Sequence, residues 1–94
     1  MHYVYVLLSL KDGELYTGTT NNLKARVERH NKGLVKATKF RMPLKLIYYE
    51  ASLNIKDAYK REVYLKTSWG KRYLKNRLSN DLKTKIRSYL KRSQ

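Results

Sequence analysis

Arg26 and His30 stand four residues apart in a stretch without a helix breaker, Leu23 to Asn31, so both project from one face of a helix. Arginine offers a planar fork that grips phosphate oxygens in two places. Histidine moves a proton near neutral pH. The pair suits a solvated helix face equally well, because Lys24 and Arg29 share the segment, and one histidine is too little for a metal cluster. Glu62 is the second candidate. It follows Ile55 by seven residues and Ala58 by four, and precedes Leu65 by three, which puts a carboxylate on the apolar face of a helix. That position is costly unless the group is paired or holds a cation. Either it lies at the edge of the stripe and pairs with Arg61 or Lys66, or it is a magnesium ligand facing a phosphate, with water completing the octahedron. Nine of the 94 residues are tyrosine, and Tyr3, Tyr5, Tyr16, Tyr48 and Tyr49 fall on predicted strands. Phenol rings stack on single-stranded bases or serve as amphipathic core residues whose hydroxyls find partners.

These side chains need elements to carry them. Tyr3 to Leu8 is β-branched, aromatic and aliphatic, and reads as a strand with Tyr3 and Tyr5 on one face. Asp12-Gly13 predicts a tight hairpin with a type I′ turn, and Leu15 to Thr19 reads as the returning strand. Thr20-Asn21-Asn22 supplies capping oxygens for the helix that carries Arg26, with Leu23 and Val27 inward, and Gly33 ends it. Leu34 to Pro43 is a basic loop, and Leu44 to Glu50 a third strand. Asn54 caps a second helix, with Asp57 near its positive end. Ile55, Ala58, Leu65 and Trp69 trace its inward face. Ser68-Trp69-Gly70 reads as a break, and Lys71 to Leu78 as a short helix. Ser79 or Asn80 then caps a final helix with Leu82, Ile86, Tyr89 and Leu90 inward. The order β-β-α-β-α-α-α predicts one α/β (α+β) domain over residues 1–94, a small, mainly antiparallel three-stranded sheet flanked by helices.

Charge narrows the partners. Lysine and arginine total 22 against 7 acids, a net charge of +15. Residues 60 to 94 hold 12 basic side chains and only Glu62 and Asp81 as acids, whereas residues 1 to 59 hold 10 basic and 5 acidic. Such a field favours a polyanion, with nucleic acid ahead of an anionic membrane surface. The absence of cysteine excludes a disulfide scaffold, a thiolate zinc site and a cysteine nucleophile. No apolar run approaches the roughly 20 residues of a membrane span, and no basic segment precedes the first apolar run as in a signal peptide. A cytoplasmic protein with no membrane role is expected.

Taken together, the residues resemble the GIY-YIG nuclease superfamily. Its two naming motifs stand here as Tyr3-Val4-Tyr5 and Tyr16-Thr17-Gly18, with ten residues between them. Gly18-Thr19-Thr20-Asn21-Asn22-Leu23-Lys24-Ala25-Arg26 follows the family's path from glycine to arginine, and His30 falls where many members carry histidine or tyrosine. Ala58-Tyr59-Lys60-Arg61-Glu62 matches the segment of the family's metal-binding glutamate. Lys66 and Trp69 look like the short stand-alone bacterial members of the UPF0213 type, related to the N-terminal nuclease domain of the excinuclease. Tyr3 replaces the opening glycine and Thr17 the middle isoleucine; the late asparagine has no clear counterpart, Asn76 being the candidate.

The resemblance implies a divalent-metal-dependent endonuclease that hydrolyses phosphodiester bonds in DNA. One Mg2+ or Mn2+ on Glu62 would stabilise the leaving 3′ oxygen, and Arg26 would neutralise charge on the non-bridging oxygens. Tyr5 or Tyr16 would be the general base, with His30 sharing or relaying the proton. Gly18 would let the backbone approach the phosphate. Lys24, Lys36, Lys39, Arg41, Lys71, Arg72, Lys75 and Arg77 would hold the nucleic-acid backbone without reading its sequence. Selectivity would then come from substrate structure, a protein partner or homodimerisation. The alternatives are a non-catalytic nucleic-acid-binding module that keeps the fold, and an RNA-associated protein.

Overall fold

The computed structural model describes residues 1–80, in the order β1 (His2–Ser9), β2 (Leu15–Thr20), α1 (Leu23–Asn31), β3 (Leu44–Ser52), α2 (Ile55–Leu65) and α3 (Ser68–Arg77). The expected final helix lies outside the described residues. β1 is the centre of an antiparallel sheet ordered β2-β1-β3. Its unbroken apolar run follows from that place, because helices cover both faces and neither side of the strand meets water. Val4 and Val6 point to one layer and pack with Ala58 and Leu65 of α2 and Leu74 of α3. Tyr5 and Leu7 point to the other and pack with Tyr16, Leu23, Val27, Met42 and Leu44. The period of two along β1 thus assigns each side chain to a layer.

Local chemistry sets the boundaries. Asn22 Oδ1 accepts the Ala25 N–H at 3.1 Å to cap α1, and Asn54 Oδ1 accepts the Lys56 N–H at 2.8 Å to cap α2. Gly33, at φ +73°, leads the chain away from α1. Asn31 then exchanges two hydrogen bonds with the backbone of Leu44, at 2.8 and 2.9 Å, fastening the end of α1 to the start of β3. On the opposite layer Glu50 of β3 accepts from Arg61 Nε at 2.9 Å and Nη2 at 2.7 Å, while Tyr48 donates to the same carboxylate. The Arg61 guanidinium holds the Glu50 carboxyl below its ordinary range against the opposing effect of burial.

Four expectations are corrected. The hairpin is no two-residue turn: Leu10 to Glu14 intervene, and only Gly13 takes a positive φ, of 75°. Asp12 is recruited elsewhere, accepting the Glu14 N–H at 2.9 Å and pairing with Arg41 at 3.0 Å, so it does not adopt the left-handed conformation that a type I′ turn requires. β3 runs on to Ser52 because it pairs with β1 as far as His2. Ser68-Trp69-Gly70 is no break but the first turn of α3, capped by Thr67, whose Oγ1 accepts the Gly70 N–H at 3.1 Å. Gly70 serves packing there, since a Cβ would run into the Tyr64 carbonyl and the Leu65 backbone. Because α3 restarts the helical phase, Trp69 turns outward, and Ile55, at the mouth of α2, is exposed as well. No helix among the described residues is long and apolar enough to cross a membrane.

Candidate active site

Antiparallel pairing sets Tyr5 opposite Gly18 and Leu7 opposite Tyr16, so Tyr5, Tyr16 and Gly18 share the face that α1 covers. α1 delivers Arg26 and His30 to that face. Arg26 Nε donates to Tyr5 Oη at 3.3 Å, and His30 Nε2 lies 2.8 Å from the same oxygen. The Tyr16 ring stands edge-on to His30 with centroids 5.1 Å apart, and 6.4 Å from the Tyr5 ring. Four of the residues singled out in the sequence therefore form one cluster.

Their surroundings differ. Tyr5 and His30 are wholly buried, whereas Tyr16 and Arg26 are partly open. Burial pushes the Tyr5 phenol up, partly offset by the Arg26 hydrogen bond and reinforced by Tyr16 and Glu62. His30 is driven down to about 4, first by burial and then by the Arg26 charge, so its ring is neutral at physiological pH. Tyr5 in turn strengthens the charge of Arg26.

At Gly18 the fold leaves room for the Tyr5 ring. A Cβ there would lie 2.5 Å from Tyr5 Oη and 2.7 Å from Cζ. The ring cannot swing away cheaply, because its hydroxyl is held by His30 and Arg26. Gly18→Ala is expected to destabilise the fold by about 1–3 kcal/mol, the usual range for overpacking a filled core, and to lower Tm by several degrees. Thermal unfolding followed by circular dichroism checks it; an unchanged Tm would show that Tyr5 is free to move.

Glu62 comes from the other layer. Its carboxylate takes Lys66 Nζ at 2.7 Å, one of the two partners open in the sequence; Arg61 is engaged by Glu50 instead. The layers meet beside the edge strand β2, where Tyr16, Thr17, Lys66 and Lys71 line a cavity of about 190 Å³. Among the described residues no three His, Cys, Asp or Glu side chains gather as a metal cluster. The donor set still fits a hard cation that keeps most of its water and needs only one or two carboxylates, and Glu62 already attracts a cation.

The basic residues divide between regions. Lys24 is exposed on α1, and Lys36 and Lys39 in the following loop. Arg41 is tied down by Asp12. On α3, Lys71 faces the Tyr16 cavity, Arg72 lies over Trp69 at 5.1 Å, and Lys75, Asn76 and Arg77 are exposed. The residue that sequence reasoning missed is Thr38. It is wholly buried, with Oγ1 2.7 Å from His30 Nδ1. A threonine between lysines in a basic loop carries no signal of that contact.

The family model of the GIY-YIG catalytic domain matches residues 1–76. The chain belongs to the GIY-YIG nuclease domain family. A UPF0213 protein of Clostridium perfringens is 49% identical over 67 residues, 70% of this chain and 71% of that relative. A UPF0213 protein of Staphylococcus aureus is 45% identical over 67 residues, 70% of this chain and 80% of the relative. No solved structure matches the chain. The GIY-YIG motifs are thus the two strand segments, paired in register, that bring Tyr5, Tyr16 and Gly18 onto one face.

Proposed function

We propose that this GIY-YIG chain is a divalent-metal-dependent endonuclease that hydrolyses phosphodiester bonds in DNA. The observation that carries the reading is the convergence of Arg26, Tyr16, Tyr5 and His30 on one face of the sheet, with a cation-holding carboxylate arriving from the next layer. Arg26 uses its Nε–H on Tyr5 and also engages Tyr16, and its remaining guanidinium N–H groups are the ones to hold the non-bridging oxygens of a phosphate. Tyr16 is the phenol with access to solvent, so it is the group that takes the proton of an attacking water; the buried Tyr5 orients Arg26. Lys71 contributes positive charge beside Tyr16, and Lys24, Lys36, Lys39, Lys75 and Arg77 supply phosphate contacts that carry no sequence information. Glu62 would exchange Lys66 for Mg2+ or Mn2+. A divalent ion there supplies Lewis-acid stabilisation of the leaving oxygen.

The test is Mg2+-dependent cleavage of labelled linear and branched DNA, with RNA in parallel, beside Glu62→Gln. The expected result is cleavage of DNA by the parent and none by the variant, with fold and salt dependence of binding unchanged. Preferential cleavage of RNA would transfer the activity to that substrate. Salt-sensitive binding with no cleavage by either protein would leave a binding module.

A further inference from the structure

Four side chains form a continuous line from the open side of the site into the interior: Arg26, Tyr5, His30 and Thr38, joined at 3.3, 2.8 and 2.7 Å. The guanidinium sets the direction of the first hydrogen bond, and the groups at the two ring nitrogens of His30 decide the rest. A guanidinium has donors only, so Arg26 Nε–H must donate and Tyr5 Oη must accept. The Tyr5 residue is wholly buried, so its own O–H would be stranded unless it donates to His30 Nε2. A neutral imidazole has one donor and one acceptor nitrogen, and burial keeps His30 neutral at physiological pH. With Nε2 accepting, Nδ1 carries the hydrogen and needs an acceptor. Thr38 Oγ1 stands at that nitrogen and accepts, leaving its own O–H the unpaired donor among the described residues; the reverse tautomer would pair the Thr38 O–H and instead strand the stronger phenol donor of Tyr5 beside the Arg26 charge. Bonds aligned in one direction also polarise one another in a dry interior.

We propose that Thr38 is a positioning residue: by accepting from His30 Nδ1–H it fixes the imidazole in the tautomer whose bare Nε2 receives the Tyr5 hydroxyl. The consequence reaches the site. Tyr5 turns its proton inward and its lone pair toward Arg26, so the guanidinium is held in one orientation and the phenol left for the water is Tyr16. The opposite tautomer would aim Nε2–H at Tyr5, make that oxygen accept twice and strand its proton beside Arg26. In its catalytic consequence the inference rests on the nuclease reading; the tautomer stands apart from it.

The decisive experiment reads the tautomer directly, by 15N–1H correlation of the imidazole rings in the full chain at pH 7. His2, the second histidine, is removed as His2→Gln to complete the assignment. His30 is expected to carry its hydrogen on Nδ1, with Nε2 bare. Thr38→Val, which keeps the shape and deletes the acceptor, should move the hydrogen to Nε2 or mix the two forms. Thr38→Ser should restore the parent spectrum. Cleavage should follow: kcat falls by on the order of 10²-fold in Thr38→Val, KM is unchanged, and Thr38→Ser recovers. A parent spectrum with the hydrogen on Nε2, or a Thr38→Val spectrum that keeps it on Nδ1, overturns the proposal. If Thr38→Val does not fold, Thr38→Ala takes its place, with the same movement of the hydrogen expected and the same unchanged spectrum overturning the proposal. The expected spectra without cleavage by any variant would uphold the positioning role and remove the nuclease reading.

Discussion

Arg26→Ala is expected to lower phosphodiester cleavage by roughly 10²–10³-fold, the usual loss when one preorganised stabiliser of transition-state charge is removed. Binding should change far less. Arg26 is one of 22 basic residues, and losing one phosphate contact reduces the slope of log K against log salt by about 1. Arg26→Lys keeps the charge and should still be strongly impaired. An ammonium on a flexible stem cannot donate to Tyr5 and at the same time present a planar fork to phosphate. Single-turnover cleavage at saturating protein, beside binding titrations over a salt series, separates the two effects. Parallel losses in cleavage and affinity would reduce Arg26 to a backbone contact, and full activity in Arg26→Lys would remove the orienting role of Tyr5.

The second large effect is on stability and depends on pH. His30 titrates near 6.5 in an unfolded chain and at about 4 in the fold. Between those values the unfolded state binds more protons, so stability rises with pH across that window. Above about pH 7 the residue costs nothing. Below 6.5 the penalty grows, reaching about 2 kcal/mol by pH 5 and on the order of 3 kcal/mol below pH 4. The groups that face the ring are Tyr5 on β1, Tyr16 on β2, Arg26 on its own helix and Thr38 in the loop. None is an acid that could compensate the imidazolium, and Arg26 opposes it. Asp12 and Glu50, both held below the usual carboxyl range, add their losses at more acidic pH. Urea unfolding at pH 7 and pH 5 should therefore show the drop in the parent. His30→Gln, which cannot charge, should lose that part of the pH dependence while being less stable at pH 7. An identical pH dependence in both proteins would show that His30 does not carry the acid penalty.

Gly18 and Trp69 mark how far one-dimensional reasoning reaches. Gly18 stands out as a motif glycine, but its packing against a ring that arrives from the neighbouring strand does not: only the register Tyr5 to Gly18 reveals that a Cβ has no room. Trp69 continues the spacing of Ala58 and Leu65 and so reads as core, yet Thr67 caps a new helix between them and the phase restarts. Glu62 lies on the boundary. Its place beside an apolar stripe and both candidate cations are visible in the chain, but the choice of Lys66 followed from Glu50, a residue on β3 that claims Arg61.

Most elements and the candidate side chains that they carry are legible along the chain, apart from the form of the first turn, the end of β3 and the start of α3. Apolar runs, caps and the spacing of Arg26 from His30 are local, and they act through the few residues on either side. Three strands, the Arg26 helix, the polyanion-seeking charge and the candidates Tyr5, Tyr16, Arg26, His30 and Glu62 were legible on that ground. Which tyrosine is buried, which cation sits on Glu62, that Asp12 holds Arg41, and that Thr38 closes the line behind His30 came from the fold. Those outcomes depend on contacts between residues distant in the chain. A hydrogen bond or a packed ring is chosen by whichever groups the fold brings within about 3 Å, and spacing along the chain carries no record of that choice.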